Sequence, residues 1–574
     1  MTYLSGSAML QFPSPPAYFY LVPIVFVFLA SLWPRVFERA CGYIERVFAR
    51  FAAHRVLAVG SLFLTVAAIR LLILPLLPVP VPGIHDEFSY LLMADTFAHG
   101  RLANPPHPMW MSFETFHVNW FPTYSSMYPP AQGLILALGQ RLGHPWIGVL
   151  LSDAAMCAAI LWMLQAWMPA RWAFLGGMLV AMKFGFAGYW MNSYWGGAVA
   201  ATGGALVLGA LTRILRRARI RDALLLGLGI AILANSRPYE GFLFSVPVAL
   251  YFFWWLAGRT KPFFSTRTRF RNVVAPLAIV LLLTGAWIGF YNWRLTGHAL
   301  LFPNALNVRT YHTAAMFIFG KAKPSREYNN AQFEDFYSGF ERDEYRGTWS
   351  DLKCISLLKV TRISSAFFWL GAILALPGLP FVFRDRKMRL LIVIFVLGIL
   401  GIFAVIWSNA HYAAPLVCVI LALIVQSIRH LRTMRLGKRP IGKALSWAAV
   451  VLLAVDTASA VSHRECDPIA WTCQGDPSRA IIQKTLERTP GKHLVVVRYG
   501  DEHNIHDEWV YNSADIDGAK VLWARELSPE QNANLFTYFK DRQIWLVTPD
   551  SDNTSLEPYA SPPPQPPPSP ASPE

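Results

Sequence analysis

Charge is scarce in this chain. Of its 574 residues, 15% are charged and 54% are hydrophobic. Soluble domains carry about a quarter charged residues, so an ordinary cytosolic enzyme is excluded, as is a disordered or collagenous chain. No Walker-type phosphate loop is present, and no dinucleotide-type glycine pattern sits at a strand–helix junction. Use of ATP or NAD is therefore unsupported. The six cysteines show no metal-ligand spacing. The N-terminus lacks a basic n-region, and its first apolar stretch begins only after Pro15 and Pro16; no cleaved leader is expected. The excess of 51 basic over 35 acidic residues gives a net charge of +16, which in a soluble protein would suggest nucleic acid. Here the basic runs are short and separated by apolar stretches, so they read as topology anchors and no nucleic-acid partner is expected.

What is abundant is apolar sequence. Crossing about 30 Å of hydrocarbon takes roughly 17–25 helical residues. Twelve stretches qualify: 17–33, 56–77, 145–167, 171–190, 193–212, 222–238, 240–257, 273–293, 363–382, 389–407, 411–428 and 444–460. The first contains Pro23 and could instead be a surface or re-entrant segment. Loops 34–55, 213–221, 258–272, 384–388 and 429–443 together hold 24 Lys or Arg, whereas the long loop 78–144 holds only Arg101 and Arg141. By the positive-inside rule the basic loops face the cytoplasm. Loop 78–144, loop 294–362 and the chain from 461 onward then share the outer side.

The expected architecture is an all-α polytopic bundle with a small C-terminal α/β domain. Its parts are an N-terminal helix and basic loop over 1–55, a transmembrane module over 56–460, an α/β domain over 461–558 and a Pro-rich tail over 559–574. In loop 78–144, residues 86–99 are helical in pattern. The apolar segment 131–142 is too short to span and should lie along the membrane surface. Part of loop 294–362 could fold over a site as a lid. In the C-terminal domain, 493–497 and 543–547 are strand candidates. Residues 528–540 form a helix candidate, with Pro529 in its first turn. Cys466 and Cys473 lie outside the membrane, where an oxidised pair could persist.

Candidate chemistry collects on the outer side. Asp86 and Glu87 follow a proline-rich bend; one carboxylate could act as general base and its neighbour could bind a divalent ion or position the acceptor. Glu114 and His117, three apart, could share a helix face and add metal or acceptor contacts. Asp153, Lys183, Arg237 and Glu240 are charges in or beside predicted spans, where isolated charge costs several kcal/mol. All four map to the outer side. Lys183 and Arg237 would suit a phosphate whose hydrophobic tail stays in lipid; structural Lys–Asp and Arg–Glu pairs are the plainer reading. Arg294 and His411 lie at outer helix ends, where they could touch a phosphate or simply anchor the interface. Tyr194, in an aromatic outer turn, could stack on sugar.

The segment carrying Asp86, Glu87 and Tyr90, together with the long outer loop and Tyr128-Pro129-Pro130-Ala131-Gln132-Gly133, resembles the polytopic glycosyltransferases of the GT-C superfamily. The nearest branch is that of protein O-mannosyltransferases and lipid A aminoarabinose transferases. The resemblance implies a bacterial inner-membrane enzyme that takes a sugar from a polyprenyl-phosphate donor at the periplasmic face and passes it to a lipid, glycan or protein acceptor. Asp86 would activate the acceptor, and Glu87 matches the second acidic position of the mannosyltransferase branch. Lys183, Arg237 or Arg294 would hold the carrier phosphate. No cofactor is required, although a divalent ion (Mg or Mn) could bind at Glu87, Glu114 and His117. A transporter or lipid flippase, a non-enzymatic envelope assembly protein, and a ligase moving a whole oligosaccharide remain alternatives. The extra span 17–33 and the tail depart from the family layout.

Overall fold

The computed structural model describes residues 16–259, 262–343, 349–407, 409–463, 477–551 and 554–559. The protein is a mostly helical, multipass membrane protein with a small C-terminal α/β unit. Among the described residues, seven helices are long and apolar enough to cross a membrane, or up to nine if each of two bent pairs counts as one span. This count does not confirm the twelve expected from hydropathy, and several of the apolar runs contain helix breaks. The helix α1 (Ala17–Leu32) turns by 117° into α2 (Pro34–Ala53). The run 171–190 is helical only to Phe184, and the next helix begins at Ala198. Around Trp369 a second pair bends by 94°.

Contacts gather four of the five basic loops. Arg432 pairs with Glu45 and Arg435 with Glu38, and Gln426 Nε2 donates to Asp385 Oδ2 at 3.0 Å. Arg213 Nη2 donates to Trp162 O, and Gln165 Nε2 to Arg55 O. The segments expected to share the outer side meet at the opposite end of the bundle. Asn119 Nδ2 donates to Pro303 O at 3.0 Å, and Thr115 Oγ1 donates to Glu508 Oε2 at 2.9 Å.

At the second end, α3 (Arg55–Leu72) leads through the proline-rich bend to α4 (His85–Ala98). Helix Pro130–Arg141 packs on both α4 and Pro145–Trp167. A Cβ on Gly139 or Gly148 would lie within 2.3 Å of backbone in the facing element, so glycine is what lets these backbones touch. Leu134, Leu138 and Leu142 remain exposed on its outer face, as a helix lying on the membrane surface requires.

The C-terminal unit holds a four-stranded sheet. Its strands are β3 (Lys492–Val497), β4 (Val521–Arg525), β5 (Arg542–Val547) and β6 (Leu556–Pro558), in the order β4-β3-β5-β6; a separate hairpin in the outer loop pairs β1 (Val118–Asn119) with β2 (Ser125–Ser126). β3 pairs in parallel with β4 and β5, and β6 is antiparallel. Leu494 to Val497 are fully buried, the continuous apolar run of a central parallel strand. Ser528 and Gln531 form a capping box on the helix Pro529–Tyr538. Cys466 and Cys473 lie outside the described residues.

Candidate active site

Asp86 sits in the first turn of α4. His85 and Glu87 on either side are buried, whereas the Asp86 side chain keeps 21% of its surface accessible. It is the carboxylate of the pair that a substrate can reach. Tyr128 donates its hydroxyl to Asp86 Oδ1. Asp86 Oδ2 lies 3.0 Å from His85 Nδ1 and 3.7 Å from His117 Nε2. Burial pushes the Asp86 carboxyl up, but the imidazoles of His117 and His85 and the Tyr128 hydroxyl outweigh it, holding the group well below the usual carboxylate range. Burial pushes the His117 imidazole down, against the pull of Asp86.

His117 reaches Asp86 from a left-handed backbone conformation (φ 61°), uncommon for a non-glycine residue. Its carbonyl is fixed twice, accepting from Ser89 Oγ at 2.7 Å and from Met127 N at 3.0 Å. The ligating atoms of His85, Asp86 and His117 lie within 4.8 Å of one another. Among the described residues, Nε2 of buried His85 and Nδ1 of His117 have no hydrogen-bond partner. Two imidazoles and a carboxylate are a fitting donor set for a divalent cation, and this cluster could hold one. Among the expected ligands, His117 belongs to the cluster and Glu87 and Glu114 do not.

Glu87 turns away from Asp86. Its Oε1 accepts from Tyr194 N at 2.9 Å and its Oε2 from Gly83 N at 3.1 Å. Glu87 and Tyr194 therefore brace the entrance to α4. Burial raises the Glu87 carboxyl to about 8, against the backbone hydrogen bonds that pull it down. A carboxyl whose folded pKa exceeds its unfolded value stabilises the fold fully below the unfolded pKa and loses that contribution as pH rises through the folded one. The thermal midpoint of wild type relative to Glu87→Gln should accordingly fall between about pH 5 and pH 8. A difference that stays flat over that window contradicts the assignment.

Glu114 and His117 share no helix face; the short helix before them ends at Phe113. Glu114 is buried, accepting from Tyr311 Oη at 3.1 Å and from Asn329 and Asn330. It ties the two outer loops together. Asp153 is fully buried and faces Arg70, not Lys183. Arg70 donates to Leu77 O and Asn192 Oδ1, both at 2.8 Å. Lys183 Nζ donates to Ser365 O at 2.9 Å, and its charge faces Asp456. Arg294 is exposed at its helix end beside the ring of Trp293, 5.9 Å away. None of these contacts of Lys183 and Arg294 is with the Asp86 group.

Arg237 does reach that group. It caps the helix Pro238–Leu256, with its guanidinium 4.3 Å from the centre of the Tyr412 ring. It also faces Tyr90, Glu240 and Tyr128. Tyr90 stacks on Tyr128 with ring centres 4.3 Å apart, and Tyr128 is the residue bonded to Asp86. Tyr412 and His411 lie within electrostatic reach of both Arg237 and Asp86. His411 is buried against Trp195, ring centres 4.7 Å apart. Arg237, Glu240 and Tyr412 stay partly accessible. A carboxylate and a guanidinium from distant parts of the chain are thus linked through tyrosines, and each keeps part of its surface accessible.

No family model matches the chain, and no curated protein matches it in sequence. Among solved structures it is similar to ArnT from Cupriavidus metallidurans bound to undecaprenyl phosphate, at 13% identity over 85% of this chain and 93% of that one, TM-score 0.48. It is also similar to the oligosaccharyltransferase AglB from Archaeoglobus fulgidus in complex with an inhibitory peptide and a dolichol-phosphate, at 11% identity over 85% and 69%, TM-score 0.45. A third likeness is to the arabinofuranosyltransferase AftD from Mycobacteria, at 17% identity over 86% and 36%, TM-score 0.39.

Four residues of this site had no role assigned from the sequence: His85, Tyr128, Tyr412 and His506. His85 and Tyr412 adjoin residues that had one, and Tyr128 opens the motif that carried the family resemblance; those were the available signals. His506 had none. It comes from the C-terminal unit and lies with its ring centre 5.8 Å from that of His85 and 4.8 Å from that of Phe340. Its loop is fixed at Glu508, whose N donates to Gly83 O at 3.3 Å and whose carboxylate accepts from Thr115. Phe336 of the second outer loop packs on His85, ring centres 5.3 Å apart. The second loop and the C-terminal unit therefore roof the site together.

Proposed function

We propose that this protein is a glycosyltransferase that moves a sugar from a polyprenyl-phosphate carrier to an acceptor at the outer face of a bacterial inner membrane. The observation that carries the reading is the convergence of accessible Asp86 with Arg237 at the end of the bundle where the outer loops and the C-terminal unit meet. Asp86, held ionised, accepts the hydrogen bond of the acceptor hydroxyl and takes its proton as that oxygen attacks the anomeric carbon. The bond from that carbon to the carrier phosphate breaks in the same displacement, which inverts the anomeric configuration. The phosphate monoester of the prenol leaves with growing negative charge. Arg237 neutralises it, a gain realised mainly in the transition state. The Tyr90–Tyr128 stack fixes the distance between the two groups. The roof of Phe336 and His506 excludes water, which would otherwise compete as acceptor.

A divalent cation at His85, Asp86 and His117 would act there as a Lewis acid on an acceptor or phosphate oxygen. The mixed nitrogen and oxygen donors suit Mn²⁺ better than Mg²⁺, which prefers oxygen. His117→Ala should weaken Mn²⁺ binding to the purified protein roughly tenfold or more, read by electron paramagnetic resonance of free Mn²⁺. Binding unchanged by that substitution rules out the cluster as the Mn²⁺ site.

The function itself is tested with purified protein in liposomes, a panel of radiolabelled polyprenyl-phosphate sugars, and envelope extract as the source of acceptor. Transfer of label from one donor, with release of free polyprenyl phosphate, is expected. Failure of every donor in the panel, by protein of native thermal stability, argues against the reading.

A further inference from the structure

The amphipathic helix α2 has three faces, separable by its 100° step per residue. Phe37, Cys41 and Ala52 are buried, and Phe37 and Cys41 join the cluster containing Ala30 and Ala444. Val36, Tyr43, Val47 and Phe51 form a second, exposed apolar stripe. Arg35, Arg39, Arg46 and Arg50 form a row along the edge of that stripe, all exposed.

The acidic residues of α2 are turned away from this row. Glu45 accepts from Arg432 Nη1 at 2.6 Å and from Trp447 Nε1 at 3.1 Å, and Glu38 accepts from Arg435 at 2.7 Å. The arginine row is left as uncompensated positive charge, with no ion pair to it among the described residues. The 117° bend after apolar α1 sets α2 crosswise to a helix of membrane-span composition. The acid–base ties to 432–435 hold it there. An apolar stripe edged by arginines, on a helix crosswise to a span, matches a membrane interface: carbon below, phosphate alongside.

We propose that α2 is an in-plane membrane helix whose arginine row binds the headgroups of anionic phospholipids, at the end of the bundle opposite Asp86. The occupant is lipid because the apolar stripe and the charge row run side by side along the whole helix. A soluble phosphate would use the charge alone and leave the stripe in water.

The test uses the full chain in detergent with equal amounts of phosphatidylglycerol and phosphatidylcholine, followed by gel filtration and quantification of the lipid retained. Wild type should retain phosphatidylglycerol in excess. Arg39→Glu with Arg46→Glu should reduce that excess roughly tenfold, while Arg39→Lys with Arg46→Lys keeps most of it. Thermal midpoints of both double variants identify any that fails to fold, and the lysine pair alone then decides through its dependence on salt. Equal retention by wild type and the glutamate pair overturns the proposal. So does displacement of the lipid by 10 mM inorganic phosphate (roughly a physiological level, where lipid bound by charge and apolar stripe together should persist), or a stoichiometric protein found on this helix in place of lipid.

Discussion

Asp86→Asn should abolish sugar transfer, lowering turnover by about 10³-fold or more, while the purified protein stays folded with only a modest fall in its thermal midpoint. Asparagine preserves the shape of the side chain and can still accept from Tyr128. What it loses is the negative charge that takes the acceptor proton. Asp86 is the accessible carboxylate of its pair, and neighbouring Glu87 is committed to backbone amides. Glu87 therefore offers no substitute base. Transfer by Asp86→Asn within a few fold of wild type would remove Asp86 from the chemistry. A large fall in the thermal midpoint would mean that the substitution had damaged α4 instead.

Arg237→Ala should lower turnover by roughly 10²-fold, on the scale of losing one charge-stabilising donor. Arg237→Lys should recover part of it, since the charge remains but the planar fork is lost. Arg294→Ala is the matched control. Arg294 is a cation of the same type whose contact is with its neighbour Trp293, so its loss should change turnover by less than about twofold. The contrast separates a specific phosphate contact from a general effect of positive charge near the membrane. Equal effects of Arg237→Ala and Arg294→Ala would contradict the geometry.

Much of this arrangement was legible in the sequence, and what was not has physical reasons. Loop charge divides the sequence into two kinds of loop because the cost of moving Lys and Arg across a bilayer is written locally. Asp86 and Arg237 stood out because charge at the edge of apolar sequence is costly unless used. Helix breaks were not legible. Hydropathy sums apolarity over a window and does not register that the chain turns at Trp33 or stops being helical after Phe184. Ion-pair partners were not legible either. Asp153 faces Arg70 because of how α3 and Pro145–Trp167 rotate against each other, whereas sequence proximity suggested Lys183. Glu114 and His117 suggested a helix by their spacing, but a left-handed residue at 117 sends the two side chains to different neighbours. His506 lies more than four hundred residues along the chain from Asp86. Only the sheet of the C-terminal unit and the Glu508 clamp bring it back.

The central claim is that Asp86 and Arg237 flank one hollow that receives a lipid-linked phosphate. The measurement that meets it most directly is a cryo-electron microscopy map of the full chain with polyprenyl phosphate. The phosphate density is predicted to contact the Arg237 guanidinium beside Tyr412, with the prenyl chain running into the membrane and Asp86 facing the phosphate across the Tyr90–Tyr128 stack. Density for the phosphate at Lys183 or Arg294, with nothing beside Arg237, would contradict it.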